Sequence, residues 1–209
     1  MDLTPEQLDA SGYKILAQPD HKELVPFVRK YLGVRTWSSN LYYLFNIMAF
    51  GGAGYYMIRG WKIGYFTLED GLSHLCYGLA IAFALLPLHE GIHGLAYKSQ
   101  GALQTAYIAN WKKFYFMAVA DRFVASGREF RIVAIAPFLI ITVLCLLLMI
   151  WASPEWKMTW LGVLMTHTAF CSGDFGLLSF LDHHRDQEVI TYDDRSSGLT
   201  FFLGRPVGK

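Results

Sequence analysis

The sequence has few charged residues, few cysteines and no surplus of charge of either sign. Charged residues make up 17% of the 209 residues, and the formal net charge is +1. Without a basic surplus the chain lacks the attraction to phosphates that nucleic-acid binding needs, so we expect no nucleic-acid partner. The three cysteines are odd in number and none stands in a CxxC pair. This pattern argues against a disulfide framework and against a thiolate zinc knuckle.

Long apolar runs are what the sequence has instead. Hydrophobic residues reach 54%, and the mean hydropathy is +0.29. Four stretches of 22 to 26 mostly apolar residues are long enough to cross a hydrocarbon core of roughly 30 Å, which takes about 20 helical residues. They are residues 37–58, 72–97, 130–151 and 158–181. Because lipid offers no partner to an unpaired backbone amide, and no series of short alternating strands is visible, each stretch is predicted to be a helix.

The basic residues alternate between rich and poor segments along the chain. The segment before the first stretch, the three connections and the tail hold five, two, six, one and four basic residues, in that order. Cytoplasmic segments carry the excess of Lys and Arg, so this pattern predicts a multi-pass protein with both termini in the cytoplasm. No uninterrupted apolar run stands near the N-terminus, and we therefore expect no cleaved signal peptide.

These patterns predict an all-α integral membrane protein with four transmembrane helices. A cytoplasmic segment (1–36) would precede a four-helix core (37–182), and a cytoplasmic tail (183–209) would follow it. The loop between the second and third helices differs in composition. Its residues 105–111 and 114–120 are rich in β-branched and aromatic side chains and favour a short β-hairpin in the cytoplasm.

The second apolar stretch ends in a motif that carries chemistry, His89-Glu90-Gly91-Ile92-His93. On a helix, positions i and i+4 share a face, so His89 and His93 can bind one zinc ion. Glu90 stands beside the first ligand and can act as general base toward a zinc-activated water. The alternative is that the three are interfacial polar residues whose side chains bond to nearby carbonyls. Pro87 is expected to bend the helix just before His89.

Catalytic zinc takes three protein ligands, so a third is expected elsewhere in the chain. Asp174 is the other acid deep in an apolar stretch. If both stretches are straight helices, Asp174 lies about 24 Å from the start of the fourth stretch, and His89 lies about 26 Å from the start of the second. The two residues would then lie at similar depth in the membrane. His167 would lie about 10 Å further out. Asp174 is therefore the preferred third ligand, and His167 is kept as a second choice or a polar contact.

With these residues in view, the chain resembles the intramembrane zinc metallopeptidases of the site-2 protease type. It is most similar to a zincin peptidase family of small prokaryotic membrane proteins. The resemblance rests on the HEGIHG segment (89–94), on Ala134 to Phe138, and on Cys171-Ser172-Gly173-Asp174. It implies His89, His93 and Asp174 as zinc ligands, Glu90 as the catalytic acid and base, and a place in a prokaryotic plasma membrane. No Asn or Pro precedes Asp174, unlike the Asn-Pro-Asp-Gly element of the larger site-2 proteases.

The predicted function is therefore intramembrane zinc metallopeptidase. The enzyme would hydrolyse peptide bonds of membrane-associated proteins or peptides near the cytoplasmic face. Its partners would be that substrate and the lipid bilayer. The alternative function is a non-enzymatic membrane protein that binds zinc as a sensor, a transporter or an inactive relative of such proteases. The sequence carries no signal for an oligomeric state.

Overall fold

The computed structural model describes residues 4–110 and 115–207. Both helices and strands occur in these ranges. The helices are α1 (Leu24–Leu32), α2 (Trp37–Lys62), α3 (Leu68–Ala84), α4 (Leu86–Ser99), α5 (Gly127–Trp151), α6 (Pro154–Phe170) and α7 (Ser172–His183). The strands are β1 (Lys14–Ala17), β2 (Ala106–Asn110), β3 (Tyr115–Val119), β4 (Ala125–Ser126), β5 (Gln187–Asp194) and β6 (Leu199–Pro206). Short 3₁₀ turns cover Pro5–Gln7 and His21–Glu23.

The larger sheet joins both ends of the chain. Its strand order is β1-β6-β5-β4, with every neighbouring pair antiparallel. Strands β5 and β6 form a hairpin whose turn contains Gly198 at φ +70°, a conformation that glycine adopts without strain. Within the hairpin Arg205 donates to Glu188 at 2.7 Å and lowers the pKa of that carboxyl. Strand β1 pairs with β6 from Lys14, opposite Gly204.

The smaller sheet consists of β2 and β3. They pair antiparallel from Ala106 opposite Val119 to Asn110 opposite Tyr115. Both strands fall where the sequence predicts a hairpin. The predicted connection at Lys112 and Lys113 lies outside the described residues.

The prediction of an all-α protein with four transmembrane helices is wrong. Two antiparallel sheets are present, and much of the predicted tail forms β5 and β6. Among the described residues, α5 alone is long and apolar enough to cross a membrane. Helices α3 and α4 meet the same criterion only as a pair, and they are bent by 42° at Leu85.

The error has a physical cause in the composition of the first and last stretches. Helix α2 includes polar residues and glycines, which lower its mean hydropathy although it runs for 26 residues. The stretch 158–181 is not one helix, because α6 ends at Phe170 and α7 begins at Ser172. A count of apolar residues detects neither effect, and it also cannot reveal strands in a segment that is polar on average.

The chain divides into two compact units. The first, which we call the sheet unit, comprises residues 1–39, 90–136 and 173–209, and the second, the helical unit, comprises 40–89 and 137–172. All six strands belong to the sheet unit. Its core contains a cluster of aromatic rings in which Phe202 lies 4.6 Å from Phe180 and 5.8 Å from Phe27, measured between ring centroids. Tyr31 packs edge-on against Phe180 at 4.9 Å.

The helical unit is held together by close packing of α3 and α6. A Cβ on Gly162 would lie 2.8 Å from the carbonyl oxygen of Leu75 and 3.2 Å from Cα of Gly78, so the two backbones nearly touch. His74 adds a hydrogen bond to Thr159 across the same pair of helices, at 2.8 Å. Helix α3 begins at a capping box in which Thr67 accepts from the Asp70 amide. The glycines at the contact thus allow α6 to pack closely against α3.

Large apolar side chains remain exposed on the helical unit. On α2, for example, Ile47 is 69% exposed and Met48 is 61% exposed. On α5 the exposed residues of this unit are Leu139, Ile140, Val143, Leu144, Leu146, Leu147, Leu148, Ile150 and Trp151. Many of these side chains are about half-exposed, which is unusual for a series of consecutive apolar residues on one helix.

Candidate metal centre

The HEGIHG segment lies in α4, directly after the bend from α3. Pro87 stands in the first turn of α4, where the missing amide hydrogen breaks no hydrogen bond within that helix. The expected bend before His89 is confirmed, with its break at Leu85. Helix α4 then carries His89 and His93 one turn apart, so the two imidazoles share a face. Both are buried, at 6% and 8% exposure.

His93 has a partner at each ring nitrogen within the sheet unit. Its Nδ1 lies 3.0 Å from the carbonyl oxygen of Val133 on α5. A carbonyl only accepts, so Nδ1 carries a hydrogen. Burial lowers the pKa of His93, but the charge of Asp174 outweighs it and raises that pKa to about 9, so Nε2 also carries a hydrogen that a bound metal would replace. That Nε2 lies 3.0 Å from Oδ1 of Asp174. His93 therefore directs the nitrogen that can bind a metal at the carboxylate that the sequence predicts as a ligand.

Asp174 is positioned by the start of α7. It stands in the first turn of that helix, where the unpaired backbone amides favour a negative charge. Its side chain is 14% exposed. The ionised form of a carboxylate is the form that binds metal ions.

His89 has its own partner within the helical unit. Its Nδ1 lies 3.1 Å from Nε2 of His167, near the end of α6. Sγ of Cys171 lies 3.9 Å from both ring nitrogens of His167. The potential ligand atoms of His89, His167 and Cys171 all lie within 4.8 Å of one another, and all three residues are buried. With Nδ1 engaged, the Nε2 of His89 is the nitrogen that can face a metal ion.

A cavity of about 100 Å³ lies inside the sheet unit. Glu90, His93 and Asp174 line it together with Tyr97. Its remaining walls are largely apolar and come from β3, α5 and α7 (Phe116, Met117, Ala118, Phe130, Val133, Ala134 and Leu177). A cavity of this volume has room for more than one water molecule.

A second polar cluster borders the same cavity. Asp193 and Thr200 line it, and Thr200 donates its hydroxyl hydrogen to Asp193 at 2.6 Å. Nε2 of His21 lies 3.1 Å from the Thr200 hydroxyl and 3.7 Å from the Asp193 carboxylate. These three residues are each 6% exposed. Their mutual contacts satisfy buried polar groups of the sheet unit close to the predicted site.

The structure places the predicted site residues as follows. Glu90, His93 and Asp174 meet at the cavity, and His89 precedes His93 by one turn of α4. His167 was expected to lie about 10 Å further out than the other site residues. For His89 this expectation is wrong, because Nε2 of His167 lies 3.1 Å from Nδ1 of His89. The estimate assumed straight spans, whereas α3 and α4 are bent by 42°.

Sequence reasoning missed other residues at the site. The Val133 carbonyl orients His93, but a backbone acceptor leaves no trace in a sequence. Asp193 and Thr200 were missed because the segment that contains them was interpreted as a polar tail. Alternating β-branched and aromatic residues in 189–202 are the signal that indicates strands there.

Comparison with known proteins agrees with the motif. The family model described as "Putative zincin peptidase" matches residues 82–188, which contain α4, β2 to β4, and α5 to α7. The chain belongs to this family. The resemblance to zincin peptidases predicted from the sequence is thereby confirmed, and membership implies zinc binding. No curated protein and no solved structure matches the chain.

Proposed function

We propose that this member of the zincin peptidase family is a zinc metallopeptidase in which His89, His93 and Asp174 hold the metal and Glu90 is the general base. One observation carries the proposal. His93 donates through Nδ1 to Val133 and turns Nε2 toward the Asp174 carboxylate at 3.0 Å. With Nδ1 held by Val133, Nε2 is the ring atom at which a zinc ion would replace the hydrogen now shared with Asp174.

The residues present fit a zinc ion by their chemistry. Two histidines and one carboxylate form a common ligand set of catalytic zinc, which leaves a fourth position open. Two ligand atoms on one tetrahedral zinc lie about 3.4 Å apart, close to the separation between His93 and Asp174. His89 joins the set through its i, i+4 spacing to His93 on α4.

Glu90 supplies the proton transfers in this proposal. It lines the cavity beside His93, where a substrate carbonyl and a water would meet. Zinc, when bound, polarises the scissile carbonyl and makes water acidic enough to lose a proton near neutral pH. Glu90 accepts that proton and then gives it to the nitrogen of the leaving amine. The apolar walls exclude other water and strengthen these electrostatic effects.

We place the helical unit of this peptidase in a lipid bilayer. Support comes from the half-exposed apolar residues of α2 and α5, which would cost free energy in water and none in lipid. On α5 they run from Leu139 to Trp151, about 18 Å along the helix. The substrate is then a membrane-associated protein or peptide, and the cytoplasmic placement of both termini stays a prediction.

Strand β3 offers a way to hold an extended substrate. Its residues Phe116, Met117 and Ala118 line the cavity, and β3 pairs with β2 along one edge. A substrate segment that adds to this hairpin as a further strand would present an unwound backbone to Glu90, which a helical segment cannot do because its carbonyls are shielded.

Proteolysis by the purified full chain tests the proposal. We would measure release of dye from fluorescein-labelled casein, an unfolded substrate, by zinc-loaded protein in detergent micelles. Glu90→Gln is expected to lower the rate by about 10²- to 10⁴-fold, because the proton acceptor is lost. The matched control Glu69→Gln changes an exposed glutamate of α3 and should cleave like the wild type.

Two results would contradict the proposal. A wild-type chain that binds zinc yet cleaves neither casein nor a broad peptide library would instead support the non-enzymatic alternative. Equal cleavage by wild type and Glu90→Gln would exclude Glu90 as the base.

A further inference from the structure

The contact between His89 and His167 lies outside the roles assigned so far. Nδ1 of His89 and Nε2 of His167 are 3.1 Å apart, and the two rings meet at 63° with centroids 5.3 Å apart. His167 is 1% exposed, which makes it the most buried histidine of the described chain. A polar ring is not buried this completely without a hydrogen-bonding role.

We infer that His167 is a positioning residue that fixes the tautomer and the orientation of His89. In this arrangement Nδ1 of His89 donates its hydrogen to Nε2 of His167. The lone pair of His89 is then on Nε2, the atom that binds zinc in the proposed function, on which this inference rests. Metal-bound histidines commonly donate their second N–H to such a partner.

The hydrogens of both rings are consistent with this assignment. If Nε2 of His167 accepts, its single hydrogen is on Nδ1. Sγ of Cys171 lies 3.9 Å from that nitrogen and is a weak acceptor within reach. Each neutral ring therefore carries one hydrogen, and each hydrogen has an acceptor.

The surrounding packing holds His167 in place. Helix α6 is fixed against α3 by the contact of Gly162 with Gly78 and by the hydrogen bond from His74 to Thr159. The last turn of α6 is closed by the Cys171 amide, which donates to the carbonyl oxygen of His167 at 3.1 Å. A rigid partner is what an orienting hydrogen bond requires.

The arrangement also differs between the two histidines of the motif. His93 donates to a backbone carbonyl, which no substitution of a side chain removes. His89 depends on a side chain, so its orientation can be tested by mutation. Loss of such a partner typically lowers metal affinity by about 10- to 100-fold.

The test is zinc affinity of the full chain in detergent, measured by competition with a chromogenic chelator. His167→Phe keeps a ring but cannot accept, and we expect its zinc dissociation constant to rise by about 10- to 100-fold. His167→Gln keeps an acceptor in its amide oxygen and should stay within about threefold of the wild type. His183→Phe, the matched control, changes an exposed histidine of α7 whose described ring contacts are with Tyr31 and His184, and it should bind zinc like the wild type.

Cobalt substitution separates positioning from ligation. The visible spectrum of bound Co²⁺ reports its coordination, so a positioning role predicts similar spectra for wild type and His167→Gln. Equal zinc affinity of wild type and His167→Phe would overturn the inference. So would equal weakening in His167→Gln and His167→Phe, or two tightly bound zinc ions per chain, since the latter would make His89, His167 and Cys171 a metal site themselves. A wild-type chain that binds no zinc would instead overturn the proposed function.

Discussion

The sheet unit and the helical unit differ in how many of their large apolar side chains are exposed. In the sheet unit Ile190 and Phe202 are fully buried, at 0% exposure. In the helical unit Ile47 is 69% exposed and Trp151 is 81% exposed. Among the described residues, most of the exposed large apolar side chains belong to the helical unit, although the sheet unit exposes some, such as Leu103, and the helical unit buries others, such as Val163.

This difference shows that the apolar content of a segment does not tell whether the fold buries its side chains. Both units are rich in apolar residues, but the sheet unit removes a larger share of its large apolar side chains from water. The cavity with Glu90, His93 and Asp174 belongs to the sheet unit. His89 and its partner His167 belong to the helical unit.

Truncating one aromatic ring in each unit should have unequal effects on stability. Phe202→Ala removes a ring packed on Phe27 and Phe180, and we expect it to lower the free energy of unfolding by about 3–5 kcal/mol. Phe50→Ala, which changes a ring that is 51% exposed on α2, should lower it far less. Denaturant unfolding in detergent, followed by tryptophan fluorescence, measures both. Equal losses in the free energy of unfolding would contradict the distinction between the units.

A charge placed on each exposed apolar surface should distinguish lipid from water. Val143 on α5 is 52% exposed, and Val143→Arg is expected to cost about 2.5–3.5 kcal/mol if that face meets lipid. Ile15→Arg alters a residue of the sheet unit that is 58% exposed and should have little effect. The measurement is the fraction of each chain that stays with membranes after an alkaline carbonate wash. Recovery of the wild type as a soluble monomer without detergent would contradict the lipid assignment.

The packing of α3 against α6 gives a smaller expected effect. A Cβ at Gly162 would lie 2.8 Å from the Leu75 carbonyl oxygen, so Gly162→Ala should destabilise the helical unit by about 1–3 kcal/mol. At Gly51 on α2 a Cβ would meet no atom within 4 Å, and Gly51→Ala should be neutral or stabilising by up to about 1 kcal/mol. Thermal unfolding of the two variants side by side checks this. A stabilising Gly162→Ala would show that the helices can separate without loss.

Several features of the molecule could be predicted because they depend on local pattern. The i, i+4 spacing of His89 and His93 requires only a helix, and α4 provides it. The bend near Pro87 follows from its missing amide hydrogen. The family was recognisable from the same motif, and its match to residues 82–188 confirms that resemblance.

Other features depend on contacts between distant segments and could not be predicted this way. Strand β1 pairs with β6, so Lys14 lies opposite Gly204, and neither segment indicates the other in sequence. The contact of His89 with His167 spans 78 residues and depends on the bend between α3 and α4. The sequence also predicted one span where the structure has α6 and α7, because a break in the helix at Cys171 does not change the mean hydropathy of the segment.

The most direct test of the metal centre is the zinc content of the detergent-purified chain, measured by elemental analysis. Wild type, Glu90→Gln and the exposed control Asp186→Ala are each expected to hold about one zinc ion per chain. Asp174→Ala should hold almost none, since His93 then loses the carboxylate 3.0 Å from its Nε2. No zinc in folded wild type after reconstitution, or a full zinc ion in Asp174→Ala, would contradict the ligand set.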